Sequence, residues 1–199
     1  EIRLHKDMGL CSEVFRSGLN KLYDGNIAVG HVRYSTSGDS DSKNDVLNAQ
    51  PLVMSTKTGN MAMAHNGNLI NATILRSKLE EDGAIFQTGL DTEVMAYLLA
   101  KNSKYGMVGA IKKMMQVARG SYALIISTKD KLYAVRDPQG IRPLAIGRLD
   151  ESFVFASESC AFDTVDAEFV RDVRPGEIIE VDKDGFHTHQ TNYSDNTAL

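Results

Sequence analysis

Cysteine is scarce in this sequence: 199 residues hold two, Cys11 and Cys160, and no motif joins them. They form no metal or redox motif and fit free thiols in a reducing cytoplasm, with a single Cys11–Cys160 disulfide as the alternative. A block of basic residues is absent as well. With 22 Lys and Arg against 26 Asp and Glu, the formal charge is −4. Phosphate backbones need a concentrated positive face, so nucleic acid is not expected as a partner. No apolar run approaches the ~20 residues of a membrane span, and no signal-peptide pattern opens the chain. No membrane partner is therefore expected, and no internal repeat divides the chain. What is present is ordinary: 42% hydrophobic and 24% charged residues, enough to build a sizeable core. The length suits one large domain over 1–199 better than two.

Residues 1–25 read as a basic, partly helical entry with Leu10, Val14 and Phe15 as a short apolar stripe. From Asn26 to Arg33 the sequence NIAVGHVR alternates, predicting a strand whose Ala28, Gly30 and Val32 face is thin. The Ser-, Asp- and Asn-rich stretch from Tyr34 to Pro51 reads as loop. NMAMAH, ending at His65, predicts a second strand with a small-residue face. Amphipathic helices are expected at 71–81, 91–101 and 107–118, the second with Asp91 placed as N-cap. The remainder is strand signal: SYALIIS, KLYAVR, PLAIGR, SFVFAS, EFVRDV and EIIEVD, punctuated by turns such as Asp137-Pro138-Gln139-Gly140 and Lys183-Asp184-Gly185. Strands, then helices, then a meander of strands predict an α+β class with helices layered on antiparallel sheet.

Polar residues gather in three places: GHVRYSTSG (30–38), AHNGNL (64–69) and GLDTEV (89–94). Their chemistry matches the ends of a free amino acid. The Arg33 guanidinium suits an α-carboxylate, and the Asp91 carboxylate suits an α-ammonium. The Asn66 carboxamide and the Gly67 N–H suit a carbonyl oxygen turning into an oxyanion. Each group also has a plainer reading. Asn66-Gly67 is a favoured turn dipeptide, Arg33 a surface arginine, Asp91 a helix cap, and His31 and His65 packed imidazoles.

Taken together, seven blocks run in a recognisable order: GHVRYSTSG, AHNGNLINA, IFQTGLDTEV, GSYALII, VRDPQGIRPLAIG, FASESCAFD and RPGEIIEVD. In them the chain resembles the glutaminase domain of the amidophosphoribosyltransferase family, a class II glutamine amidotransferase. The resemblance implies an N-terminal-nucleophile hydrolase fold, a four-layer αββα sandwich of antiparallel sheets between helices. It implies hydrolysis of glutamine to glutamate and ammonia, used to form 5-phosphoribosylamine in de novo purine synthesis. By position, Arg33, with the backbone near Thr36, would bind the glutamine carboxylate and Asp91 its ammonium. Asn66 and the Gly67 N–H would form the oxyanion hole. Tyr34, Ser37-Gly38 and the Arg142-Pro143-Leu144 run separate the chain from the similar hexosamine-forming enzymes.

The family's nucleophile is a cysteine at the mature N-terminus, whereas this sequence opens on Glu1. Cys11, in MGLCSEVF, lacks the glycine that follows the nucleophile, and Cys160 reads as a packed thiol. The expectation is an N-terminally truncated domain, its first strands missing, inactive alone and prone to self-associate through an unpaired sheet edge. The alternatives are a non-catalytic glutamine-binding module or another class II amidotransferase, such as a hexosamine-forming enzyme. The implied partners are glutamine and a phosphoribosyltransferase domain absent from the chain, in a homo-oligomeric parent. No cofactor or metal is expected here; Mg2+ would belong to the absent domain.

Overall fold

Alternating side chains in the second half of the chain set two faces, and both are buried. The computed structural model describes residues 1–16, 22, 24–33 and 45–190. Among them a six-stranded antiparallel sheet contains β1 (Leu52–Thr56), β2 (Gly59–Leu69), β3 (Gly120–Ser127), β4 (Leu132–Arg136), β8 (Glu177–Asp182) and β9 (Gly185–Gln190), in the order β1-β2-β3-β4-β8-β9. A three-stranded sheet has the order β6-β5-β7, from β5 (Ala145–Leu149), β6 (Ser152–Ala156) and β7 (Glu168–Asp172).

The period of two sends Tyr122, Leu124, Ile126, Tyr133, Val135 and Ile178 to one face of the large sheet. There they pack on α3 (Ala72–Glu81), α4 (Asp91–Lys101) and α5 (Gly106–Val117), through Leu79, Met95, Leu99, Ile111 and Met114. Ala123, Ala134 and Ile179 point the other way and meet Leu144, Ile146 and Val173 of the small sheet and its flanks. The far side of the small sheet is closed by α6 (Cys160–Asp163), whose Phe162 packs with Ala145 and Ala167. The result is four layers, helices–sheet–sheet–helix, as the resemblance implied. No helix among the described residues is long and apolar enough to cross a membrane.

Several expectations are corrected. Asn26–Arg33 is no strand. Ile27, Val29 and His31 are half-buried while Ala28, Gly30 and Val32 are exposed, so the alternation persists. A strand also needs a neighbour at about 4.8 Å, and a cavity of about 760 Å3 lies between this stretch, residues 1–15 and β1–β3. Part of the supposed loop is structured, as α2 (Asp45–Asn48), and β1 begins directly after the loop. Asp91 is the first helical residue rather than the N-cap; Leu90 holds the cap with extended backbone. Cys160 is exposed, not packed, as is Cys11 in the short α1 (Cys11–Val14).

Two buried carboxylates join the layers. Asp137 accepts the N–H groups of Tyr122, Gln139, Ile141 and Arg142, in the bend that leads from β4 to β5. Glu177 takes a two-pronged pair from Arg171 at 2.8 Å and the Arg174 N–H at 2.7 Å. Burial pushes the Glu177 carboxyl up, but Arg171 and that N–H outweigh it and hold the group below its ordinary 4.5. A carboxyl depressed on folding stabilises above its unfolded pKa and loses that contribution as pH falls through the folded value. Glu177→Gln should therefore cost about 2 kcal/mol at pH 7. It should also flatten the loss of stability below pH ~4.5, read as urea midpoints across pH.

Candidate active site

The candidate site lies where β2 outruns β1. Pairing between them ends at Leu52↔Met63, so the outer edge of β2 is open beyond Ala64. On the inner side β2 pairs with β3 in unbroken register, Gly67 opposite Tyr122. Tyr122 exchanges its backbone bonds with Asp137: the Asp137 N–H donates to the Tyr122 carbonyl at 2.8 Å, and the Tyr122 N–H donates to Asp137 Oδ2 at 3.3 Å. Gly67 and Tyr122 are thus a pair without mutual hydrogen bonds, which turns the N–H groups of His65, Gly67 and Leu69 toward the open edge. The His65 N–H donates to Gln50 Oε1 at 2.6 Å, and the Leu69 N–H to Asp91 Oδ2 at 2.8 Å. Between them, neither a strand nor a side chain among the described residues accepts the Gly67 N–H.

Asn66-Gly67 is therefore not a turn; eight residue pairs, from Ala62↔Ser127 to Leu69↔Gly120, override the dipeptide's local preference. Glycine is required for another reason. With φ +139°, a Cβ at 67 would stand 2.1 Å from the Ser121 carbonyl oxygen and 2.8 Å from His65 Nε2. Asn66, half-buried, points to the face of Ala62 and Ala64, and its carboxamide has no partner among the described residues.

Asp91 arrives from the first turn of α4. Its Oδ1 lies 3.2 Å from His65 Nδ1, which also approaches Thr92 Oγ1 at 3.3 Å. Burial raises the Asp91 carboxyl, but the His65 hydrogen bond and charge, with the Leu69 and Thr92 N–H groups, outweigh it and hold the pKa below the usual range. Asp91 is thus a carboxylate at neutral pH, with lone pairs left for a cation. The loop before α4 is pinned by Glu93, which accepts from the Gln87 N–H at 2.9 Å and from the Thr88 N–H and hydroxyl at 2.8 and 2.7 Å.

Of the residues expected from sequence, Asn66, Gly67 and Asp91 meet at this edge, joined through His65 and Leu69. His65 is the packed, hydrogen-bonded imidazole of the plainer reading. Arg33 is exposed and lines the neighbouring 760 Å3 cavity with His31 and Gln50. Burial first, then the charges of His65 and Arg33, hold the His31 pKa down, so His31 lies within electrostatic reach of both. Thr36 and Tyr34 lie outside the described residues. Sequence reasoning missed Gln50, which sits in a stretch without periodicity. It also passed over Glu93, although an acid at the third helical position is a capping signal. Among the described residues no group of three or more His, Cys, Asp and Glu is placed to hold a metal ion.

Comparison with known proteins identifies the family. Residues 32–164, more than half of the chain, match the family described as glutamine amidotransferase domain. The amidophosphoribosyltransferase of Bacillus subtilis is 40% identical over 200 residues, covering 100% of this chain and 41% of that protein. Its namesake from Methanocaldococcus jannaschii is 42% identical over 194 residues, covering 96% and 40%. A solved structure described as the allosteric regulatory enzyme of purine biosynthesis superposes with a TM-score of 0.82 at 39% identity, covering 95% of this chain and 40% of that one. The chain thus spans about two fifths of the length of these relatives, and its sandwich is that of the N-terminal-nucleophile amidotransferases.

Proposed function

The chain belongs to the glutamine amidotransferase domain family, and we propose that it is the glutaminase part of an amidophosphoribosyltransferase, releasing ammonia from glutamine. The observation that carries this reading is the unaccepted Gly67 N–H beside the unpartnered Asn66 carboxamide, on a strand edge fixed at both flanks. Two neighbouring neutral donors left without acceptors suit charge that develops in a transition state more than ground-state binding. A module that only bound glutamine would need Arg33 and Asp91 but not that pair.

In this reading Arg33, with the backbone near Thr36, grips the α-carboxylate and Asp91 the α-ammonium. The side-chain carbonyl oxygen then faces Asn66 and Gly67. A thiolate adds to the amide carbon, the oxyanion forms between the two donors, and collapse expels ammonia as the amide nitrogen takes a proton. Water cleaves the resulting thioester to glutamate. Cys160 begins α6 beyond the small sheet, and Cys11 begins α1 on the wall of the 760 Å3 cavity, without the glycine that follows the family's nucleophile; both are exposed. Neither is assigned the nucleophile's role, and the 199 residues alone are expected to release no ammonia. The ammonia is destined for a phosphoribosyltransferase domain, with its Mg2+, which forms 5-phosphoribosylamine for purine synthesis. We place the parent as a homo-oligomer in the cytoplasm.

A glutaminase assay on the full-length gene product tests the assignment of Arg33. Arg33→Ala should raise KM for glutamine about 10- to 100-fold with a smaller fall in kcat, because a charge-assisted contact to the carboxylate is made in ground and transition states alike. An unchanged KM contradicts it.

A further inference from the structure

We propose that Gln50 is a positioning residue for the Asn66–Gly67 donors, a role that rests on the oxyanion reading of that pair. The Gln50 side chain does what a strand would do at this place, and then stops. Its Oε1 accepts the His65 N–H at 2.6 Å and its Nε2 donates to the His65 carbonyl at 3.2 Å, the two bonds of one antiparallel residue pair. On one side of that pair, true strand pairing resumes at Leu52↔Met63. On the other side comes Gly67, and beyond it Asp91 takes the Leu69 N–H. The edge of β2 is thus satisfied at 63, 65 and 69 and left open at 67.

A longer β1 would occupy the Gly67 N–H and abolish the site. An edge with no Gln50 would leave the peptide planes on either side of Asn66 free to tilt. Gln50 removes both problems. Its carboxamide spends its hydrogen bonds on one residue, and Pro51, next in the chain, has no N–H to carry a ladder forward. Because the His65 carbonyl belongs to the peptide that leads into Asn66, holding it fixes the direction of the Asn66 side chain and of the Gly67 N–H. Asp91 is the matching clamp on the far side.

Contacts realised only in the transition state act on kcat, which separates this role from one in general stability. The test uses the full-length protein with Gln50→Ala and Gln50→Glu, measuring kcat and KM for glutamine per folded site. Amide hydrogen exchange at His65, Gly67 and Leu69 is followed alongside. Gln50→Ala should lower kcat about 10- to 100-fold with KM little changed. Gln50→Glu, which still accepts from the His65 N–H but cannot donate to its carbonyl, should fall between. His65 exchange should quicken in Gln50→Ala while Leu69, held by Asp91, stays protected. Unchanged kcat, or unchanged exchange at His65, overturns the proposal. If wild type hydrolyses no glutamine, the glutaminase reading falls, and the exchange data still decide whether Gln50 fixes this edge.

Discussion

Full-length protein carrying Gly67→Ala is expected to lose glutamine hydrolysis by about 10^3-fold or more while losing stability as well. The added Cβ would be driven to 2.1 Å from the Ser121 carbonyl oxygen and 2.8 Å from His65 Nε2. Both neighbours are fixed, Ser121 by strand pairing and His65 by Asp91 and Gln50. The φ of +139° adds strain for any residue with a side chain. Together, backbone strain and overpacking come to roughly 2–6 kcal/mol. Relief requires β2 to move off β3 at this point, which swings the Gly67 N–H away from the substrate oxygen. Chemical denaturation and a glutaminase assay on one preparation check both parts. Normal turnover with normal stability would show that the strand edge tolerates what its geometry forbids.

A large effect on folding alone should come from Asp137→Ala. Asp137 is fully buried and answers four backbone N–H groups from Tyr122, Gln139, Ile141 and Arg142. Its own carbonyl accepts from Gly140 and Gly176. Arg136 completes the junction, donating to the carbonyls of Arg142, Val173 and Gly140. The bend therefore ties β4, β5 and the approach to β8 at one point between the two sheets. Alanine would leave one buried donor, the Tyr122 N–H, and three part-buried ones without their acceptor, at a cost of about 3–5 kcal/mol. Asp137→Asn, which keeps one acceptor oxygen, should cost less. Urea midpoints of the three proteins decide it, and an Asp137→Ala within 1 kcal/mol of wild type, roughly the ordinary effect of a point substitution, would contradict this account.

How far these features were legible in sequence depends on what each signal encodes. SYALIIS and EIIEVD read correctly because both faces of β3 and β8 are buried, and their side chains record it. NIAVGHVR carries the same alternation, yet periodicity reports only which side a residue faces, not whether a second backbone lies beside it. β1 and β9 escaped notice because short, mixed edge strands carry little pattern; the sequence of β9, GFHTHQ, is polar throughout its second half. Asn66-Gly67 shows local preference losing to long-range pairing, since the dipeptide that favours a turn sits in the middle of a ladder. The chemical complement of Arg33, Asn66, Gly67 and Asp91 was readable from side-chain types. The edge that holds three of them was not, because it depends on where β1 stops and on a glutamine that imitates a strand.

The most direct test of the central claim is ammonia and glutamate release from glutamine by the full-length protein, wild type beside Asn66→Ala. The account predicts equal molar release of both products by wild type. It also predicts a fall in kcat of about 10^2–10^3-fold in the variant, with KM nearly unchanged. A wild type that binds glutamine without releasing ammonia, or an Asn66→Ala protein that turns over at the wild-type rate, would contradict it.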